Sequence, residues 1–223
     1  MSSVLLQAIL LASSGLFSVG SITLVILLLL SKKGWQNGLC YALGYVSGYT
    51  IIGIIILLLN YQTSETTSTE PNMLFPVFLV IFGSVLIWLA IHNWMKPVQN
   101  EKKENRFFAM VDKITPVKAF TFGLVVTVIN VKNLALFLSA LSLIVQSGLP
   151  ITDKLFIMVI SVFVFCLSVI IPLGIYILFP HHRNDLLNGI RNRLEHYSRP
   201  ISIWIPITFG SILLVMGVSS FLN

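Results

Sequence analysis

Six long apolar runs separated by short polar segments dominate the chain: approximately Val4–Leu30, Gly38–Leu59, Met73–His92, Val117–Val145, Leu155–Phe179 and Ile201–Leu222. Crossing about 30 Å of hydrocarbon as a helix takes roughly 20 residues, and each run is long enough. Lipid offers backbone amides no partner, so a spanning run must satisfy them internally as a helix. The pattern predicts an all-α polytopic membrane protein with six transmembrane helices. The first and fourth runs exceed the minimum and carry polar residues in mid-run, which leaves tilting, kinking and breaking open for both.

The fourth run holds Asn130-Val131-Lys132-Asn133 close to its middle. A lysine at that depth costs from about 2.5 kcal/mol on insertion scales to more than 10 in simulations, so it points to function by default. The first run offers a partner. Phe17-Ser18-Val19-Gly20-Ser21-Ile22-Thr23-Leu24 and Ile129-Asn130-Val131-Lys132-Asn133-Leu134-Ala135-Leu136 share one pattern: apolar, polar, Val, variable, polar, apolar. Each opens a group of three runs, and three crossings reverse direction. The expectation is one membrane domain over 1–223, with repeat 1 at about 4–92, a cytoplasmic linker at about 96–115 and an inverted repeat 2 at about 117–222. Inverted repeats place a binding site at the midplane. The candidate substrate-binding residues are Lys132, Asn130, Asn133, Ser18, Ser21 and Thr23.

Three states of Lys132 are open from sequence: charged and hydrated in a cavity, neutral through burial, or charged against an anionic ligand. The last suits a phosphate or carboxylate headgroup or an amino-acid carboxylate, with the carboxamides and hydroxyls completing the hydrogen bonds. The competing reading has Lys132 snorkelling and Asn130 and Asn133 joining helices, where such bonds average only about 0.6 kcal/mol. Ser18, Ser21 and Thr23 can also satisfy themselves on helix carbonyls.

Composition agrees with the pattern. Of 223 residues, 56% are hydrophobic and 10% charged, and mean hydropathy is +0.92. The net charge of +6 does not indicate nucleic acid, because the bases sit in short loops. Twelve of the fourteen lie in the first, third and fifth loops. By the positive-inside rule those loops are cytoplasmic and both termini face outward, as in a multi-pass protein of a bacterial inner membrane. Apolar residues at helical spacing in Lys96–Thr115 (Phe107, Phe108, Val111, Ile114) and in the fifth loop (Leu186, Leu187, Ile190, Leu194, Tyr197) predict two helices lying on the membrane surface. Gln62–Glu70 reads as a flexible outer connector.

Gly44 and Gly48 form a GxxxG, expected to be a helix-packing face. Pro172 with Gly174, and Pro206 with Gly210, are candidate kinks. Cys40 and Cys166 read as small buried hydrophobes. The runs hold no acid pair, Ser-His combination or metal set, so neither an enzyme nor a cofactor is expected.

Two stretches resemble a known family. Ser18–Gly48, with Leu27-Leu28-Leu29-Leu30-Ser31-Lys32-Lys33 and Asn37-Gly38-Leu39-Cys40-Tyr41-Ala42-Leu43-Gly44-Tyr45, is similar to the opening of the GAP family (glycopeptidolipid-addressing, Sap-like small membrane proteins of the LysE transporter superfamily). Asn130-Val131-Lys132-Asn133-Leu134-Ala135-Leu136 resembles that family's second signature, an Asn-Pro-Lys-Asn-Leu run. The resemblance implies two inverted three-helix repeats and a role in moving or addressing envelope lipids. The superfamily's metal carriers and thiol-disulfide carriers fit poorly. No acid lies within a run, the histidines are at ends or in loops, and the two cysteines are far from both signatures. The family's proline is Val19 in one signature and Val131 in the other; valine need not break a helix, whereas proline would.

The expected function is transport or export of an anionic or zwitterionic substrate, lipid-linked among the candidates. The alternative is a non-transporting accessory that docks an export or biosynthesis complex through the third and fifth loops. The expected partners are the bilayer, the small molecule or lipid headgroup itself, and a homodimer mate or export complex.

Overall fold

The structure, a computed structural model, describes residues 1–65, 74–95 and 114–222. These residues are helical, with no strand among them. The order is α1 (Ser2–Ala12), a 3-10 helix (Ser13–Phe17), α2 (Val19–Leu29), α3 (Gly34–Glu65), α4 (Leu74–Met95), α5 (Pro116–Ile129), α6 (Val131–Gln146), α7 (Ile151–Leu178) and α8 (Arg183–Leu222).

Two stretches, Gly34–Leu58 of α3 and the whole of α7, are single helices long and apolar enough to cross a membrane. Two more candidates are bent pairs. The first run breaks between Phe17 and Val19 with a bend of 56°, and the fourth between Ile129 and Val131 with a bend of 72°. Both long runs therefore break, valine notwithstanding.

Local chemistry explains several ends. Ser13-Ser14-Gly15 is poor helix former, and there α1 tightens into the 3-10 turn. Thr115 caps α5 by accepting from the Lys118 amide, and Pro116 occupies the first turn, where its missing N–H costs nothing. Past Gln146 the chain is extended, and Lys154 Nζ donates to the Val145 carbonyl at 2.8 Å, sealing that end of α6.

Each break carries the chain from the periphery to the interior. In α5, Val117, Phe122, Val125, Val128 and Ile129 are exposed. In α6, every residue from Ala135 to Ser142 is buried. In the first run, Leu6, Leu10 and Phe17 are exposed, whereas Val25 to Leu29 of α2 are all buried. An apolar exposed face suits lipid. An interior helix must meet protein on all sides, and α6 does so with Ser139 and Ser142 bonded back onto the carbonyls of Leu136 and Ser139.

Small residues set the closest approaches, since apolar burial does not drive helix association within lipid. A Cβ on Gly44 would strike the Phe120 carbonyl, one on Gly123 the Tyr41 carbonyl, and one on Gly48 the Thr127 hydroxyl. The GxxxG is thus the seat of α5 on α3. Gly83 and Gly210 face each other in the same manner between α4 and α8.

Other expectations shift. The helix α3 continues through Glu65, so the start of the outer connector is helical. The surface helix expected over 96–115 falls almost wholly outside the described residues. The fifth loop does not form a separate surface helix: α8 runs from Arg183 to Leu222, 40 residues, or roughly 60 Å, about twice the hydrocarbon thickness. Its N-terminal part is held by the bundle, with Leu187 fully buried and the Arg183 guanidinium 4.5 Å from the centre of the Tyr176 ring. Pro200 and Pro206 lie inside α8, and Pro172 inside α7, without interrupting the helices. Both cysteines are free, Cys166 buried and Cys40 half-buried.

Candidate functional site at the two helix breaks

The two breaks have nearly the same backbone. Ser18 has φ −77° and ψ 77°; Asn130 has φ −78° and ψ 75°. These values fall near the inverse γ-turn, a low-energy conformation that ends one helix and redirects the next. Each residue is the N-cap of the helix that follows, so Ser21 and Asn133 both stand at the third helical position.

The means of breaking differ. The Asn130 side-chain carbonyl accepts from the Asn133 amide at 3.3 Å, a standard cap on the free N–H groups of α6. Ser18 makes no such cap on α2. Its hydroxyl instead donates to the Ser21 hydroxyl at 2.9 Å.

Asn133 joins the breaks. Its Nδ2 donates to the Ser18 hydroxyl, to the Tyr45 hydroxyl at 3.2 Å and, at the limit of bonding distance, to the Ser21 hydroxyl at 3.5 Å. Ser21 in turn donates to Tyr45 at 3.1 Å. Ser18, Ser21, Tyr45 and Asn133 are all buried. Two helix N-termini thus meet through an uncharged network, with the free N–H groups of α2 and α6 and their dipoles directed toward one region. Such a region favours an anion or an electronegative atom.

Of the residues singled out from sequence, Ser18, Ser21 and Asn133 come together, and Asn130 supports them through its cap. Lys132 and Thr23 do not join. Lys132 is half-buried, next in the chain to the exposed Val131. Among the described residues its ammonium has no hydrogen-bond or ion-pair partner. Thr23 lies two positions past Ser21, about 200° around α2, on the far side of that helix from the network.

Sequence reasoning assigned no role to Tyr45. The available signal was Tyr41, Tyr45 and Tyr49, one turn apart on a glycine-bearing helix and so on one face. All three are fully buried. Their rings form a ladder, Tyr41 to Tyr45 at 6.0 Å and Tyr45 to Tyr49 at 5.0 Å, which closes on Phe137 and Phe165 at 4.8 Å each.

The model of one protein family, described as Sap, sulfolipid-1-addressing protein, matches residues 9–219. No curated protein and no solved structure matches the chain.

Proposed function

Since the chain belongs to the Sap, sulfolipid-1-addressing protein family, a family of lipid-addressing membrane proteins, we propose that it transports an anionic or zwitterionic amphiphile, a lipid or lipid-linked envelope component. The observation that carries this reading is the union of the two breaks. Asn133 bonds Ser18 and Ser21 where two helix N-termini converge, and Lys132 stands beside one of them. Donors and dipoles gather there, and a cation stands one residue before Asn133. The substrate's anionic group takes Lys132 as its counter-ion while the free N–H groups of α2 and α6 complete its bonds.

In this reading the chain crosses a bacterial inner membrane six times as two inverted repeats, in the manner of the LysE superfamily, with both termini outside. Four features support it. Ser21 and Asn133 are 112 positions apart, and Ser18 and Asn130 keep the same spacing and backbone angles. Gly15 and Thr127 share that spacing and are packed against Phe165 of α7 and Gly48 of α3. Finally, both breaks lead from an exposed helix to a buried one. Discontinuous helices around a midplane site are a recurring device of secondary transporters. The chain performs carriage rather than a reaction, with the bilayer and the amphiphile as its partners.

The test is transport in reconstituted vesicles loaded with candidate anionic lipids, comparing the parent with Lys132→Met. The expected result is loss of transport by tenfold or more with an unfolding midpoint at or above the parent's, because methionine replaces a half-buried amine that has no partner among the described residues. Unchanged transport of a lipid that the parent carries would refute the assignment of Lys132. A partner protein recovered stoichiometrically with both forms, together with no transport by either, would favour the accessory role.

A further inference from the structure

The hydroxyls of Tyr41 and Tyr49 are buried and make no hydrogen bond. Buried tyrosines ordinarily find a partner for the O–H, because an orphaned one loses its hydration without return. Here two occur in one ladder, on either side of Tyr45, whose own hydroxyl belongs to the network. The Tyr41 hydroxyl stands beside Ser21 and that of Tyr49 beside Tyr45, outside bonding geometry in both cases. Both therefore border the network.

We infer that Tyr41 and Tyr49 form a second, uncharged pole of the site and bind the acyl carbonyl oxygens of an acyl-linked amphiphile, one hydroxyl to each. The inference rests on the transporter reading above and specifies its substrate. The ladder is enclosed by Phe122, Phe137 and Phe165, so a full charge there would lose its hydration with no counter-ion. The charged headgroup belongs at half-buried Lys132. What two orphan phenols lack is an acceptor. A ligand hydroxyl would add a further donor beside Ser21, Tyr45 and Asn133, which already fill the region with O–H and N–H groups. A carbonyl brings none. An ester or amide carbonyl near a headgroup also lies at the right place in an amphiphile, between its charge and its chains.

The experiment uses the full chain in detergent and three probes: dihexanoyl phosphatidic acid, its dialkyl ether analogue without acyl carbonyls, and inorganic phosphate. The parent is expected to bind the diester about tenfold more tightly than the diether, the equivalent of about 1.4 kcal/mol. Tyr41→Phe/Tyr49→Phe is expected to bind both lipids equally, and phosphate as the parent does. Its unfolding midpoint stays at or above the parent's, since no hydrogen bond is lost. The single variants give intermediate preferences and stand in if the double variant does not fold. A parent without ester preference, or a preference that survives both substitutions, overturns the inference. Lys132→Met separates the two levels: unaltered binding of all three probes in that variant counts against the anion reading, whereas the ester preference alone decides the tyrosine pole.

Discussion

At Ser18 the chain leaves a 3-10 turn and the side chain points inward, to Ser21 and Asn133. At Asn130 it leaves a full α-helix and the carboxamide turns back onto its own helix. The backbone angles agree within a few degrees, so one geometry is held in two ways. The Asn130 break is local, made by a cap within four residues. The Ser18 break is tertiary and depends on a residue of another helix. The charge is one-sided as well. Lys132 aligns with Gly20, an exposed glycine at which a Cβ would meet nothing within 4 Å. The uncharged network is common property of the two breaks, and the cation belongs to the second alone. The two breaks thus share a matched framework that carries one unmatched charge.

The most damaging single change to this arrangement is expected at Asn133, which both breaks share. Asn133→Leu removes the donor to Ser18, Ser21 and Tyr45 at once and leaves their buried hydroxyls short of a partner. Membrane hydrogen bonds average about 0.6 kcal/mol and reach about 1.7, so the summed loss is expected near 2 kcal/mol. Unfolding in mixed detergent micelles measures it, and vesicle transport is expected to fall by more than tenfold. A loss below about 0.5 kcal/mol would show that the breaks are held by packing and not by this carboxamide.

A smaller contrast separates the local break from the tertiary one. Asn130→Ala forfeits the cap and is expected to cost about 1 kcal/mol. Ser18→Ala forfeits no cap but loses two buried hydrogen bonds, to Ser21 and from Asn133, and is expected to cost about 1.2 kcal/mol. The decisive quantity is the coupling with Asn133→Ala in double-mutant cycles. Ser18 shares a bond with the Asn133 side chain and is expected to be non-additive with it. Asn130 touches only the Asn133 amide, which alanine retains, so that pair is expected to add. Equal coupling in both pairs would erase the distinction.

Much of this was visible in the chain and some was not, for physical reasons. The apolar runs gave helices because lipid permits little else, and GxxxG gave the α3–α5 seat because only glycine admits backbone so close. Ser18, Ser21, Asn130 and Asn133 were legible as a pair of polar interruptions. That Asn133 enters the network while Lys132 does not was beyond reach. Adjacent helical positions differ by about 100°, and which of them faces inward depends on how α6 is surrounded. Tyr45 was hidden for a similar reason: a tyrosine in an apolar helix looks alike whether it meets lipid, an interface or a polar partner. The unbroken course of α8 past Pro200 and Pro206 also ran against the local signal, which marks proline as a boundary.

The smallest expected effect tests the breaks most sharply. Val19 and Val131 stand where the resemblance puts proline. Were either run a continuous helix, proline there would delete an internal hydrogen bond and clash with the preceding turn, at about 3 kcal/mol or more. In this structure both valines occupy the first position of a new helix, after a residue already outside the helical region. Proline is favoured at that position, and its fixed φ restricts the unfolded chain. Val19→Pro and Val131→Pro are therefore each expected to lie within about 1 kcal/mol of the parent, with a gain as acceptable as a small loss. Val131→Pro is expected to be the better tolerated, since the Asn130 cap already fixes that turn, while the Ser18 turn must also preserve its reach to Asn133. Detergent unfolding midpoints of the two variants give the ordering. A penalty near 3 kcal/mol at either position would mean that the helix there is continuous, and the meeting of two N-termini would go with it.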